Sequence, residues 1–168
     1  MTKADQFTTT FREEHREIRD VLLELVQVFT DREPARARSL LEQAAALTGP
    51  HFRYEEESLY PALVAIFGEA YIEQLREDHD RAIGTAQALV ELAEQEQLTE
   101  EEAARAVRWV QRLLPHVSDC DGLSIMVERL PEEQVEAIFA ARERSRRADL
   151  DLLRWAEEVR DRPAVVPE

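Results

Sequence analysis

Cysteine occurs once in this chain, as Cys120, which excludes an intrachain disulfide and fits a reducing compartment. Glycine is almost as scarce, with four in 168 residues. With abundant Ala, Leu, Glu and Arg and few β-branched runs, that scarcity favours an all-α protein. No apolar run approaches the length that crosses a bilayer. The N-terminal MTKADQFTTTFREEH lacks the apolar segment of a signal peptide, so the expected location is cytoplasmic. Basic residues are in deficit, 21 Lys and Arg against 36 Asp and Glu, for a net charge of −15. Phosphate binding needs a basic stripe, so nucleic acid and anionic membrane surfaces are not expected partners. No His-Glu-x-x-His pattern, Walker loop or dinucleotide fingerprint is present.

What the chain does have is four histidines in a repeat. His15 and His51 are 36 residues apart, and His79 and His116 are 37 apart. In each half the second histidine directly follows a proline, as Pro50-His51 and Pro115-His116. The repeat reads as a duplicated helix pair that puts one histidine on each of four helices. His51 and Glu55 also stack one turn apart on a helix, a pair that suits a first-row metal taking mixed nitrogen and oxygen ligands.

Periodicity fills in the helices. Phe7, Phe11, His15, Ile18, Leu22, Leu25 and Phe29 form one stripe, predicting a helix from the Thr8–Thr10 run to about Thr30. A second helix starts at Pro34, with a bend expected at Gly49-Pro50 and another disturbance at Pro61. Glu56 and Glu57 fall off the His51–Glu55 line and read as solvated. Gly68 breaks the chain before a third helix over 71–96, whose stripe of Ile72, Leu75, His79, Ala82 and Leu89 again contains a histidine. Thr99 and Glu102 form a capping box for a fourth helix, which reaches Pro115-His116 and becomes irregular in HVSDCDG. A fifth helix runs from Pro131 to about Arg160, its basic middle at 142–147 paired with acidic faces of its own bundle. The tail from 161 to 168 is expected to be disordered.

Four histidines satisfied one by one in a core are the plain alternative. All four occupying bundle-facing positions in two matched units favours a shared metal site. The stretches FREEHREI, HFRYEEESLYP, REDHDRAI and WVQRLLPHVSDCDG resemble the hemerythrin-like family, the HHE cation-binding domain, over about residues 8–126. The resemblance implies an antiparallel up-down four-helix bundle over 1–130, extended by the C-terminal helix over 131–160. It also implies two iron ions, oxo- or hydroxo-bridged, that bind dioxygen, peroxide or nitric oxide. On this resemblance His15, His51, His79 and His116 are imidazole ligands and Glu55 is a bridging carboxylate. Asp121 fits the His-x-x-x-x-Asp spacing of oxygen carriers, whereas many relatives have Glu where Cys120 stands.

On an ideal helix Asp119 and Cys120 share a face with His116, and Asp121 is turned away by about 140°. Asp121 and Cys120 therefore compete for the last ligand position, and Tyr54 and Tyr60 flank the motif as packing, hydrogen-bonding or ligating groups. Oxygen carriers have a fifth histidine where this chain has Leu75, which opens the site and shifts it toward oxygen or peroxide reactivity. The alternative function is a di-iron oxidase or oxygenase acting on a small organic substrate. A third possibility is a structural or regulatory bundle with zinc or no metal.

Overall fold

The computed structural model describes residues 1–168 and is helical with no strand. Helix α1 (Lys3–Thr30) begins ahead of the expected threonine run because Thr2 and Asp5 close a capping box. Its buried face is the predicted stripe from Phe7 to Phe29, with His15 at the centre. Helix α2 (Pro34–Tyr54) places Pro34 in its first turn and runs on through Pro50 without the expected interruption. Pro50 takes away the donor for the Ala46 carbonyl, but Ala46 is exposed, so water can replace that bond.

The disturbance comes one turn later. Glu55–Leu59 form a π-turn, closed by the Tyr60 N–H on the Glu55 carbonyl, before α3 (Tyr60–Phe67) resumes with Pro61 in its first turn. Gly68, at φ 87°, ends α3 where the sequence places a break. Helix α4 (Glu69–Ala93) follows, and the Thr99–Glu102 capping box starts α5 (Glu100–Gln111).

The fourth predicted helix is two pieces. A turn at Arg112–Leu113 separates α5 from α6 (Leu114–Asp121), which carries Pro115 in its first turn. After Gly122 come the short α7 (Leu123–Met126) and a 3₁₀ turn at Val127–Arg129. The fifth predicted helix is also divided, into α8 (Glu132–Ala148) and α9 (Leu152–Glu158). Asp149 in the left-handed region stops the first piece, and the Asp151 carboxylate caps the second. The connection crosses α2 at Gly49, where a Cβ would lie 2.3 Å from the Leu150 carbonyl oxygen.

The interior is organised around the histidines. One apolar cluster holds Ile18 to Phe29, Leu40, Leu41, Leu89 and Val110; another holds Phe7, Phe11, Leu59, Leu63, Ile72, Leu75, Leu123 and Ile138. On each of the four long stretches the histidine falls between residues of these clusters. Helix α8 packs on α1 and α2, and α9 on α2 and α4, covering the seam with Trp155, Leu152, Phe52 and Ile83.

Residues 161–168, for which the sequence predicts disorder, lie against α4. The Val165 N–H donates to the Asp80 carbonyl at 2.9 Å, and a Cβ on Gly84 would stand 1.8 Å from the Val165 oxygen. No helix is long and apolar enough to cross a membrane.

Candidate metal centre

His15, His51 and His79 are buried, and His116 nearly so. Burying an imidazole among Phe and Leu demands a partner for each ring nitrogen. On the outer side every Nδ1 has one, and each is a carboxylate. His15 pairs with Asp121 at 3.2 Å, His51 with Glu14 at 2.7 Å, His79 with Glu56 at 2.9 Å and His116 with Asp78 at 3.2 Å. An ionised carboxylate only accepts, so each Nδ1 carries its proton and each Nε2 is left to the inside. Phe11 packs on the rings of His15 and His51, and Phe52 stacks on His79 at 3.8 Å and meets His116 edge-on.

These pairings follow the duplication. Glu14 precedes His15 and serves His51; Asp78 precedes His79 and serves His116. Five residues after His51 comes Glu56, which serves His79; five after His116 comes Asp121, which serves His15. Four after each stand Glu55 and Cys120, both buried at the centre.

On the inner side the Nε2 atoms are poorly satisfied. Those of His15 and His51 face each other at 3.0 Å, and the Nε2 of His116 is buried with no hydrogen-bond partner. Glu55 lies between the two halves. Its Oε1 is against His51 Nε2 without hydrogen-bond geometry, and its Oε2 is 3.8 Å from His79 Nε2. Tyr60 OH donates to Oε2 at 2.5 Å, and the Cys120 thiol donates to it at 2.9 Å. The π-turn makes the Tyr60 contact possible, because residues five apart on an α-helix point about 140° apart.

Electrostatics at the centre call for a cation. Burial penalises charge on His51, yet Glu55 and Glu14 hold it up at about 10, so without a metal this imidazole keeps a second proton. Burial and the His51 charge push His15 down to about 4, and burial is the main cause that lowers His79. Glu55 stays well below the usual carboxylate range despite burial, through the neighbouring imidazoles. Burial raises Tyr60 and Cys120 far above their ordinary values, reinforced in both by the charge of Glu55, so both are neutral donors.

Two donor groups result. Atoms of His15, Glu55 and Cys120 lie within 4.8 Å of one another, and so do atoms of Glu55, His79 and His116. Glu55 belongs to both. Unpartnered buried nitrogen and oxygen converging in this way fit a metal cation, which would satisfy them together.

The family model of the Hemerythrin HHE cation binding domain matches residues 6–123. The chain belongs to this family. No curated protein and no solved structure matches it. Within the matched residues of this HHE cation-binding domain lies the cluster of histidines and carboxylates.

The other residues singled out from sequence are distributed around that cluster. Asp121 lies at the His15 Nδ1 with Arg12 3.5 Å away, on the outer side of the ring rather than among the inward atoms. Asp119 is exposed at the mouth of the adjoining cavity. Tyr54 OH donates to Glu14 at 2.5 Å and lies 3.3 Å from the His51 Nδ1. Leu75, in the place of a fifth histidine, is buried in the apolar cluster.

Glu56 corrects the sequence reading: it is not solvated but nearly buried, held between His79 and Arg160. Glu57 stays partly exposed beside Arg53. Sequence reasoning missed Glu14, Glu56 and Asp78 as partners of the imidazoles. The available signal was the duplication itself, which extends from the histidines to the acids one before and five after them.

Proposed function

We propose that this chain is a cytoplasmic non-haem di-iron protein, a four-helix antiparallel bundle whose centre binds dioxygen or a related small ligand such as peroxide or nitric oxide. The observation that carries this reading is the pair of donor groups sharing Glu55, with every imidazole fixed from behind by a carboxylate. His15 and His51 would hold one ion, His79 and His116 the other, with Glu55 between them. Mixed imidazole and carboxylate donors suit iron, and a pair of irons supplies redox-active binding of dioxygen-like ligands.

The chain's own residues set the conditions for that chemistry. The four outer carboxylates fix ring orientation and raise the basicity of each Nε2. Phe11 and Phe52 exclude water from the rings. Tyr60 and Cys120, both protonated, hold the Glu55 Oε2 and are the proton-bearing groups nearest the inner face. Asp121 supports His15, and Cys120 takes the interior position that corresponds to Glu55.

Iron analysis tests the reading. The protein as purified is expected to contain close to two irons with near-ultraviolet oxo-bridge absorption. His51→Ala or His116→Ala should lower both the iron content and the melting temperature, since metal binding couples to folding. Full iron and an unchanged melting temperature in both variants would sink the assignment, and zinc in place of iron would favour a structural bundle.

A second reading, a di-iron oxidase or oxygenase acting on a small organic substrate, is favoured by one feature. A cavity of about 500 Å³ opens directly onto His15, His51, Glu55 and His116. Oxygen consumption that depends on an added organic compound separates this reading from the first.

A further inference from the structure

Helical bundles of this size close their interiors to near-crystalline density, and voids larger than a water are few. The cavity of about 500 Å³ is therefore a built feature. At roughly 30 Å³ per water it exceeds the need of a diatomic ligand more than tenfold. Its volume lies in the range of sites that enclose organic ligands.

The walls show how the space is kept. Ala44 and Ala45 on α2 face Ala82 and Ala86 on α4, where larger side chains would fill it. Leu22, Leu25, Leu41 and Leu89 extend it away from the histidines as an apolar channel. One end is the histidine cluster, where the almost fully buried Glu55 lies against His51. At the opposite rim lie Val165–Glu168, with the Glu168 carbonyl accepting from Trp109 Nε1 at 3.0 Å and Arg112 at 3.3 Å.

That rim segment is a strap held by the chain itself. Arg162 fixes it to Asp80 and Glu73, the Val165 N–H to the Asp80 carbonyl, and Gly84 lets the Val165 backbone sit directly on α4.

Charge decides what kind of molecule fits. Arg81 pairs with Asp78, Arg112 is turned to the Glu168 carbonyl, and Glu55 is taken by the imidazoles. Away from the histidine cluster the wall has only Arg81 and Arg112 as cations, both already engaged, and the net charge of −15 repels an anion at a distance.

We propose that this cavity is a binding site for an uncharged, elongated aliphatic molecule, enclosed by the 161–168 strap with one end against the histidine cluster. It deepens the organic-substrate reading by naming the ligand class, but the binding itself needs no particular metal.

The test uses the full-length protein with 1-aminoanthracene, a neutral fluorescent probe, displaced by straight-chain alcohols of increasing length or by the matching fatty carboxylates. Iron is measured on the same samples, before and after chelation. Saturable probe binding is expected, displaced by alcohols with affinity that rises with chain length and then falls once the cavity is full. In the iron-free sample carboxylates should displace it at least about tenfold more weakly, as desolvating an unpaired charge requires.

Ala86→Phe should weaken binding by about tenfold, the loss that about two buried methylenes represent, with iron content unchanged. Gly84→Ala should displace the strap and speed probe release. Were Ala86→Phe not to fold, Ala44→Leu fills the opposite wall. Non-saturable binding, unchanged affinity in the filling variant, or carboxylates equal to alcohols in the iron-free sample would each overturn the proposal. Probe binding that survives in an iron-free sample supports the cavity and leaves the metal reading to the iron analysis.

Discussion

Four residues separate His51 from Glu55, and four separate His116 from Cys120, so the duplicated halves place a carboxylate and a thiol in corresponding positions. The thiol sits 2.9 Å from the Glu55 Oε2 and 3.5 Å from Tyr60, and burial keeps it protonated. Serine retains a donor of similar reach. Cys120→Ser is therefore expected to keep its metal and its resting visible spectrum. Loss of a strong visible charge-transfer band in that variant would show sulfur bound to the metal.

Asp121→Ala should act differently. It removes the Nδ1 partner of His15, and losing such a support costs about 10–100-fold in metal affinity. Metal titration of the variant against the parent protein reads that loss directly, and an unchanged affinity would remove Asp121 from the site. At this scale the histidines and Glu55 were legible, because stripe position and repeat spacing both pick them out. Glu14, Glu56 and Asp78 were missed, because each serves a histidine on another helix, so that only the repeat of acids one before and five after a histidine marks them.

Among the elements, α8 and the segment after α9 reach furthest into the chemistry. Arg142 on α8 bonds Glu14 at 2.6 Å, and Glu14 holds His51. Arg160, its side chain 2% exposed, bonds Glu56 at 2.8 Å and Asp80 at 2.6 Å, and Glu56 holds His79. Arg160→Met leaves the nearly buried Glu56 without its cation and Asp80 with Arg162 alone. It should destabilise the fold by about 3–5 kcal/mol, read by urea unfolding, with Arg160→Lys recovering only part. A loss below about 1 kcal/mol would show that the network is unimportant to folding.

Of the basic middle that charge assigns to the bundle's acidic faces, only Arg142 makes such a pair. Periodicity could not show the π-turn, since one extra residue in a turn leaves the apolar spacing on either side intact. The helix through Pro50 escaped for a similar reason: the outcome depends on whether Ala46 is exposed, which is a property of the fold.

For the whole molecule, the metal-free protein should have a stability maximum near neutral pH. His15 falls from its ordinary 6.5 to about 4 on folding, so its contribution is complete above 6.5 and is lost as pH falls toward 4. Glu14 falls from 4.5 to about 2, adding a loss that starts where the first ends. His51, raised from 6.5 to about 10, contributes fully below 6.5 and loses that contribution as pH rises through 10. Each shift is worth on the order of 3 kcal/mol. Urea midpoints of the chelated protein at pH 7, 5.5 and 4 should fall in that order, and a flat profile would contradict the burial of these groups.

The helical class was legible from composition and period, and the path of 161–168 along α4 was not. That path rests on Gly84 accepting a close backbone and on Arg162 meeting Asp80, contacts that no pattern within the segment encodes.

The arginine supports also impose an order on biosynthesis. Every inward donor has left the ribosome once Cys120 has emerged, but Arg142 and Arg160 follow later. An N-terminal portion that folds as it is made thus displays its imidazoles before Glu14 and Glu56 are neutralised. Holding His51 and His79 from behind becomes a late step, completed once Arg142 and Arg160 reach Glu14 and Glu56.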